Sequence, residues 1–179
     1  GAPSCDVRAQ PEGVVMQPNR LRRCVLSVPG SSEKMLGKAA AMDIDGVFLD
    51  LEDAVAPDAK ADARRLIVEA LNGSDWTPGS VSVRINDVTT PHCHKDIIQV
   101  VEGAGERLST LILTKARDAS DVRFVHLLLD QLEAGLGLTN RIGIECLIED
   151  VEGLQNVQSI AASSDRLEAL ILGMGDYSA

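Results

Sequence analysis

Aromatic side chains are almost missing from this 179-residue chain: one Trp, one Tyr and two Phe, or 2% of the residues. Its core must therefore be aliphatic, which suits buried parallel strands rich in Val, Ile and Leu. The same scarcity argues against modules that stack nucleic-acid bases on aromatic rings. Positive charge is also short. The 17 Lys and Arg face 27 Asp and Glu, a net charge of −10, which opposes an extended phosphate-backbone partner, so no nucleic acid is expected. No apolar run reaches the ~18 residues of a membrane span, and no basic–apolar–small signal-peptide pattern occurs, so no membrane association is expected. Four cysteines, Cys5, Cys24, Cys93 and Cys146, stand far apart without a C-x-x-C pair. Neither a disulfide framework nor a thiolate zinc site is expected from them, and a reducing cytoplasm is the simplest setting.

What is present is an ordinary apolar share, 45%, in a chain long enough for one domain with a sizeable core. Residues 1 to 19, with three Pro, two Gly and little periodicity, read as a flexible arm. A rhythm then sets in. Short apolar runs begin at residues 24 (CVLSV), 46 (GVFLDL), 80 (SVSVRI), 109 (STLILT), 141 (RIGIECLI) and 167 (LEALILG), each bounded by turn residues as buried strands are. Between them lie helical stretches such as PDAKADARRLIVEALNG, which opens on Pro and Asp and closes on Gly73, the usual order of start and stop signals. Such a βα repeat predicts a parallel sheet. Two architectures fit: six units of a (β/α)₈ TIM barrel, which typically needs about 250 residues, or a six-stranded doubly wound sheet.

The polar residues favour the barrel. Glu52 and Asp53 follow the second strand, Arg84 and Asn86 end the third, Lys115 follows the fourth, Glu149 and Asp150 the fifth, and Asp176 the sixth. Chemistry collects at strand C-terminal ends in both folds, but five successive charged ends point to one central site. Glu149 and Asp176 are the candidate metal ligands: two carboxylates with no His or thiolate beside them suit a hard cation such as Mg²⁺, with Mn²⁺ as an alternative. Gly173 and Gly175 leave room there for a ligand. Asp150 and Asp58 read instead as helix caps. Arg84, among alternating apolar residues, requires an anionic partner or ligand, and Glu52 or Asp53 could pair with it. The RLRR cluster at 20 to 23 could hold a small phosphorylated ligand. PHCHK at 91 to 95 lacks the spacing and ligand count of a metal site and reads as a loop. GMG at 173 to 175 is no dinucleotide fingerprint, and His126, among leucines, reads as a core or boundary residue.

In this order and spacing the segments RCVLSVPGS (23–31), VFLDLEDAVAPDAKADAR (47–64), SVRIN (82–86), TKARDASDV (114–122), IECLIEDVEGLQN (144–156) and IAASSDRLEALILGMGDYSA (160–179) resemble the citrate lyase β-subunit/malyl-CoA lyase family, within the HpcH/HpaI aldolase group. The IEDxxGL wording looks most like the malyl-CoA and β-methylmalyl-CoA lyases. The resemblance implies a (β/α)₈ barrel in a homo-oligomer, a trimer or hexamer, with residues 20 to 179 a catalytic domain lacking the last two βα units and a C-terminal segment that carries a catalytic acid. It implies Mg²⁺-dependent cleavage of a 3-hydroxyacyl-CoA, such as L-malyl-CoA to acetyl-CoA and glyoxylate, the partners being a CoA thioester and a glyoxylate-like 2-oxo acid. Glu149 falls on the glutamate of the I-E-[TD] motif and Asp176 on the aspartate of the G-x-x-D turn, the family's metal ligands. Arg84 falls on the arginine of V-R-[IV]-N, and with Glu52 and Asp53 forms the catalytic candidates. Arg23, Ser31, Lys38 and Lys115 are the expected contacts to coenzyme A as part of the substrate. Hydrolysis by a malyl-CoA thioesterase, cleavage of citryl or citramalyl thioesters, and a non-catalytic thioester-binding subunit are the alternatives.

Overall fold

A computed structural model describes residues 20–178; the arm expected at 1 to 19 lies outside the described residues. Six strands form one parallel sheet: β1 (Val25–Pro29), β2 (Gly46–Asp50), β3 (Val81–Ile85), β4 (Thr110–Leu113), β5 (Gly143–Ile148) and β6 (Leu167–Leu172). Each coincides with one of the six apolar runs, β1 reaching one residue past its run to Pro29. Helices α1 (Glu33–Ala40), α2 (Lys60–Gly73), α3 (Cys93–Ala104) and α4 (Ala119–Leu136) fill the crossovers, and α5 (Val151–Gln155) and α6 (Val157–Ala161) share the fifth. A one-turn helix, α7 (Met174–Tyr177), follows β6. A single helix is expected at 150 to 164, but Asn156 interrupts it: its side-chain amide donates to the Arg117 carbonyl at 2.9 Å, and it is at once the C-cap of α5 and the N-cap of α6. Asn readily trades helical geometry for such a bond.

The strands lie in the order β1-β2-β3-β4-β5-β6. A doubly wound sheet reverses direction at a switch point, so the strictly sequential order removes that alternative and matches the winding of a barrel. Curvature agrees. In a flat sheet, five steps of about 4.8 Å would hold the edge strands roughly 24 Å apart. Yet Arg22, three residues before β1, reaches Glu168 on β6 at 2.6 Å and Glu145 on β5 at 3.2 Å. The sheet is therefore strongly curled, with those side chains inside the curl.

Alternation along the strands sorts two environments. The outer face carries Leu49, Leu51, Val83, Ile85, Leu111, Leu113, Ile144 and Cys146, all fully buried with Ile67, Ile97, Val125 and Leu129 of the helices. The inner face is polar low in the curl. The Ser82 and Thr110 hydroxyls are 2.6 Å apart, and Thr110 donates to Glu145 at 2.9 Å. Above them the inner face carries Asp50 and Arg84, register partners on β2 and β3. Gly30, in the turn after β1, is required by close approach: a Cβ there would lie 2.7 Å from the Asp50 carbonyl and 2.6 Å from Ile67. No helix among the described residues is long and apolar enough to cross a membrane.

Candidate active site

At the C-terminal ends of the strands the charged residues form one connected cluster. Its base is Asp50, fully buried, whose two oxygens accept from the Arg84 guanidinium at 2.7 and 2.6 Å and from the backbone N–H groups of Glu52 and Ala54 at 2.8 and 3.0 Å. Burial alone would push this carboxyl up, but the Arg84 fork and the backbone donors outweigh it and hold the group below the usual carboxylate range. Arg84 is thereby fixed, with Nη1 left facing Glu52 at 3.3 Å and Asp53 at 4.0 Å. Its guanidinium also lies over the Phe48 ring, 5.5 Å from the centroid, a favourable placement for a cation.

Glu52 is held from below. Lys60, itself buried, donates to the carbonyls of Leu51 and Glu52 at 2.8 and 2.9 Å, and the buried Asn86 amide donates to Leu51 at 2.9 Å. These bonds satisfy backbone groups that a buried loop would otherwise leave orphaned. The Glu52 carboxyl is pushed up by burial, against the pull of Lys115 and Arg84. Lys115 closes the far side. Its ammonium donates to Glu52 at 2.9 Å and pairs with Asp176 at 3.4 Å, and its pKa is raised, chiefly by the hydrogen bond to Glu52.

Glu149 stands at the end of β5, 7% exposed, and its Oε2 is buried without a hydrogen-bond partner, as is Oε2 of Glu52. Burial first, then the charges of Glu52 and Asp176, push the Glu149 carboxyl up to about 7. Gly173, which donates its backbone N–H to Ile148 at 2.9 Å, lies directly against Glu149; a Cβ at 173 would overlap the glutamate side chain. Asp176 is half-exposed on α7. An unpartnered buried carboxylate oxygen beside a second carboxylate fits a divalent cation, which would supply the missing positive charge. No three His, Cys, Asp or Glu side chains gather as ligands among the described residues. Two carboxylates are nevertheless the share that Mg²⁺ commonly takes from a protein.

Not every expected residue joins this cluster. Arg84, Glu52, Lys115, Glu149 and Asp176 do, and Asp53 borders it, exposed. Ser31 is exposed in the turn after β1, at the same end of the sheet. Arg23 and Lys38 do not. Arg23 precedes β1, at the N-terminal end, and its guanidinium clasps Asp45 at 2.9 and 2.7 Å. Lys38 is exposed in the last turn of α1, and a helix that runs back antiparallel to its strand ends at the opposite side of the sheet. The remaining arginines of RLRR, Arg20 and Arg22, are spent on Glu168 and Glu145, so that cluster is not the free phosphate cradle expected. Asp150 caps α5, accepting from Gly153 at 2.7 Å. The Cys93 thiol, buried at the start of α3, is pushed up to about 12 by burial, far from ligand behaviour. Sequence reading missed Asp50 and Lys60. Asp50 was legible in principle: two residues before Glu52, it shares that residue's face, opposite Leu49 and Leu51.

Known proteins share this arrangement of sequence and strands. The sequence profile of the HpcH/HpaI aldolase/citrate lyase family matches residues 23–179. The L-malyl-CoA/beta-methylmalyl-CoA lyase of Cereibacter sphaeroides is 44% identical over 162 residues, 90% of this chain and 51% of that protein. A solved citrate lyase from Burkholderia xenovorans superposes with a TM-score of 0.77 at 26% identity, covering 86% of this chain and 49% of that one. The protein CitE of Mycobacterium tuberculosis, solved in complex with magnesium and acetoacetate, gives a TM-score of 0.64 at 29% identity, over 86% of this chain and 54% of that one. The chain thus spans about half the length of the proteins it matches. It belongs to the HpcH/HpaI aldolase/citrate lyase family.

Proposed function

We propose that this chain carries the metal-binding part of a CoA-ester carbon–carbon lyase, cleaving a 3-hydroxyacyl-CoA such as L-malyl-CoA to acetyl-CoA and a glyoxylate-like 2-oxo acid. Glu149 and Asp176 would hold a Mg²⁺ ion, with Mn²⁺ able to substitute. The observation that carries the reading is the buried, unpartnered Glu149 Oε2, set among Glu52, Lys115 and Asp176 at the mouth of the curled sheet. The names of the relatives support it: one is a malyl-CoA lyase and one was solved with magnesium.

The bound cation would act as a Lewis acid toward the hydroxyl and carboxylate of the acyl group, easing loss of the hydroxyl proton. The protein residues supply the rest. Breaking the bond between the hydroxyl-bearing carbon and the carbon next to the thioester leaves negative charge on the thioester oxygen. Arg84 is suited to meet that charge. Its fork on Asp50 fixes the guanidinium before the reaction, so little reorganisation is needed as charge develops. Glu52 moderates Arg84 and holds Lys115, keeping two cations apart in a small volume. The Phe48 ring, 5.5 Å from the Arg84 guanidinium, shields one side of that cation from water, which strengthens its interactions.

Glyoxylate release from malyl-CoA, followed with and without Mg²⁺, tests the proposal. Glu149→Ala or Asp176→Ala should abolish the Mg²⁺-dependent release; turnover unchanged in either variant would refute the ligand assignment. Free CoA appearing together with intact malate would mark a thioesterase instead. Binding of the thioester without any turnover would mark a non-catalytic subunit.

A further inference from the structure

Lys115 is held in an unusual way. It is the only non-glycine residue among those described with a positive φ, +51°, a left-handed conformation that costs roughly 1 kcal/mol or more outside glycine. The neighbouring contacts enforce it. On one side the Thr114 hydroxyl donates to the Ile85 carbonyl at 3.1 Å, and on the other the Ala116 N–H donates to the Leu147 carbonyl at 3.2 Å. The result is an ammonium spanning β2 and the segment after β6, 2.9 Å from Glu52 and 3.4 Å from Asp176. The two contacts are unequal. Glu52 is 8% exposed and accepts a true hydrogen bond; Asp176 is 48% exposed and is held by the longer ion pair alone.

Taking Glu149 and Asp176 as the metal ligands, we infer that Lys115 is a built-in competitor for the divalent ion: its ammonium and the metal share the Asp176 carboxylate, and metal loading draws Asp176 away from Lys115 while Lys115 stays on Glu52. A carboxylate that serves a dication cannot keep an ammonium at ion-pair distance without bringing two like charges close together. Asp176 is the contact that yields, because the Lys115–Glu52 bond is shorter and better shielded from water. Metal affinity is then set below what two free carboxylates would provide. This keeps the ion exchangeable and couples its arrival to a movement of α7.

Calorimetric titration of Mg²⁺ into the protein, at a pH well above 7 so that Glu149 is ionised, tests this without reference to turnover. Lys115→Met should bind Mg²⁺ about three- to tenfold more tightly than the native protein, the scale expected for removing one partly exposed competing charge. Lys115→Arg, which restores the charge, should bind within about twofold of native on the same scale. Lys115→Gln keeps a donor for Glu52 and should behave like Lys115→Met, which covers the case in which Met disturbs folding. Glu149-dependent binding that is unchanged or weaker in Lys115→Met and Lys115→Gln would overturn this inference alone. Native binding that is absent, or that Glu149→Gln leaves unchanged, would overturn the metal reading and this inference with it.

Discussion

Glu149 is the side chain whose surroundings ask most of it. Its carboxyl is raised from an ordinary 4.5 to about 7, so at neutral pH it stands between charged and neutral. A raised pKa means that the folded state holds the proton more tightly than the unfolded chain does. The stability this provides is fully present below about pH 4.5 and is lost as the pH rises through about 7. In a metal-chelating buffer, the unfolding free energy should therefore fall across that window, and Glu149→Gln should remove this part of the slope. Denaturant titrations at several pH values check it, and an unchanged slope in the variant would contradict it. Glu149, Asp176, Arg84 and Lys115 announced themselves as charges at the ends of apolar runs. Asp50 lies inside its strand rather than beyond it; alternation puts it on the face of Glu52, and the register that sets it opposite Arg84 names its partner. Arg23 and Lys38 lie outside the cluster, and a basic residue near a motif carries no sign of which end of the sheet it will occupy.

At the scale of elements, alternation was legible and local breaks were not. Runs such as GVFLDL and SVSVRI carry the period-2 signal of a strand with one face against helices, and the strands formed where expected. The break at Asn156 depends on a carbonyl at Arg117, thirty-nine residues away, which no local pattern contains. The turn between β6 and α7 matters most for the site. Gly173 there packs against the Glu149 side chain with no room for a Cβ. Gly173→Ala should therefore move Glu149 rather than unfold the sheet. If the proposed function holds, Mg²⁺-dependent glyoxylate release should drop on the order of 100-fold, the penalty typical of a roughly 1 Å misplacement, with the melting temperature nearly unchanged. A variant with native activity would show that Glu149 is not positioned by this turn.

Across the whole molecule, the curl of the sheet is what gathers five strand ends into one cluster. It depends on a polar layer at the opposite end, where Arg20 and Arg22 close on Glu168, whose side chain is 2% exposed. Losing Glu168 leaves Arg20, 19% exposed, without its carboxylate and Arg22 with Glu145 alone. Glu168→Ala should accordingly cost about 1.5 kcal/mol of unfolding free energy, the scale of a lost hydrogen bond to a charged group, and a loss below about 0.5 kcal/mol would mean that the curl is held by backbone pairing alone. This layer was not foreseen, although its members are visible as polar residues inside apolar runs: Ser82, Thr110, Glu145 and Glu168. Strand count and winding were legible from the βα rhythm, whereas the curl is tied by side-chain pairs more than a hundred residues apart in sequence.

Everything functional rests on Glu149 and Asp176 gripping the same ion. The most direct measurement is an anomalous-scattering map from crystals of the protein grown with Mn²⁺. One strong peak should lie within coordination distance of a carboxylate oxygen from each of the two residues and be lost in Glu149→Gln. A peak bound by neither residue, or two side chains too far apart to share a cation, would contradict it.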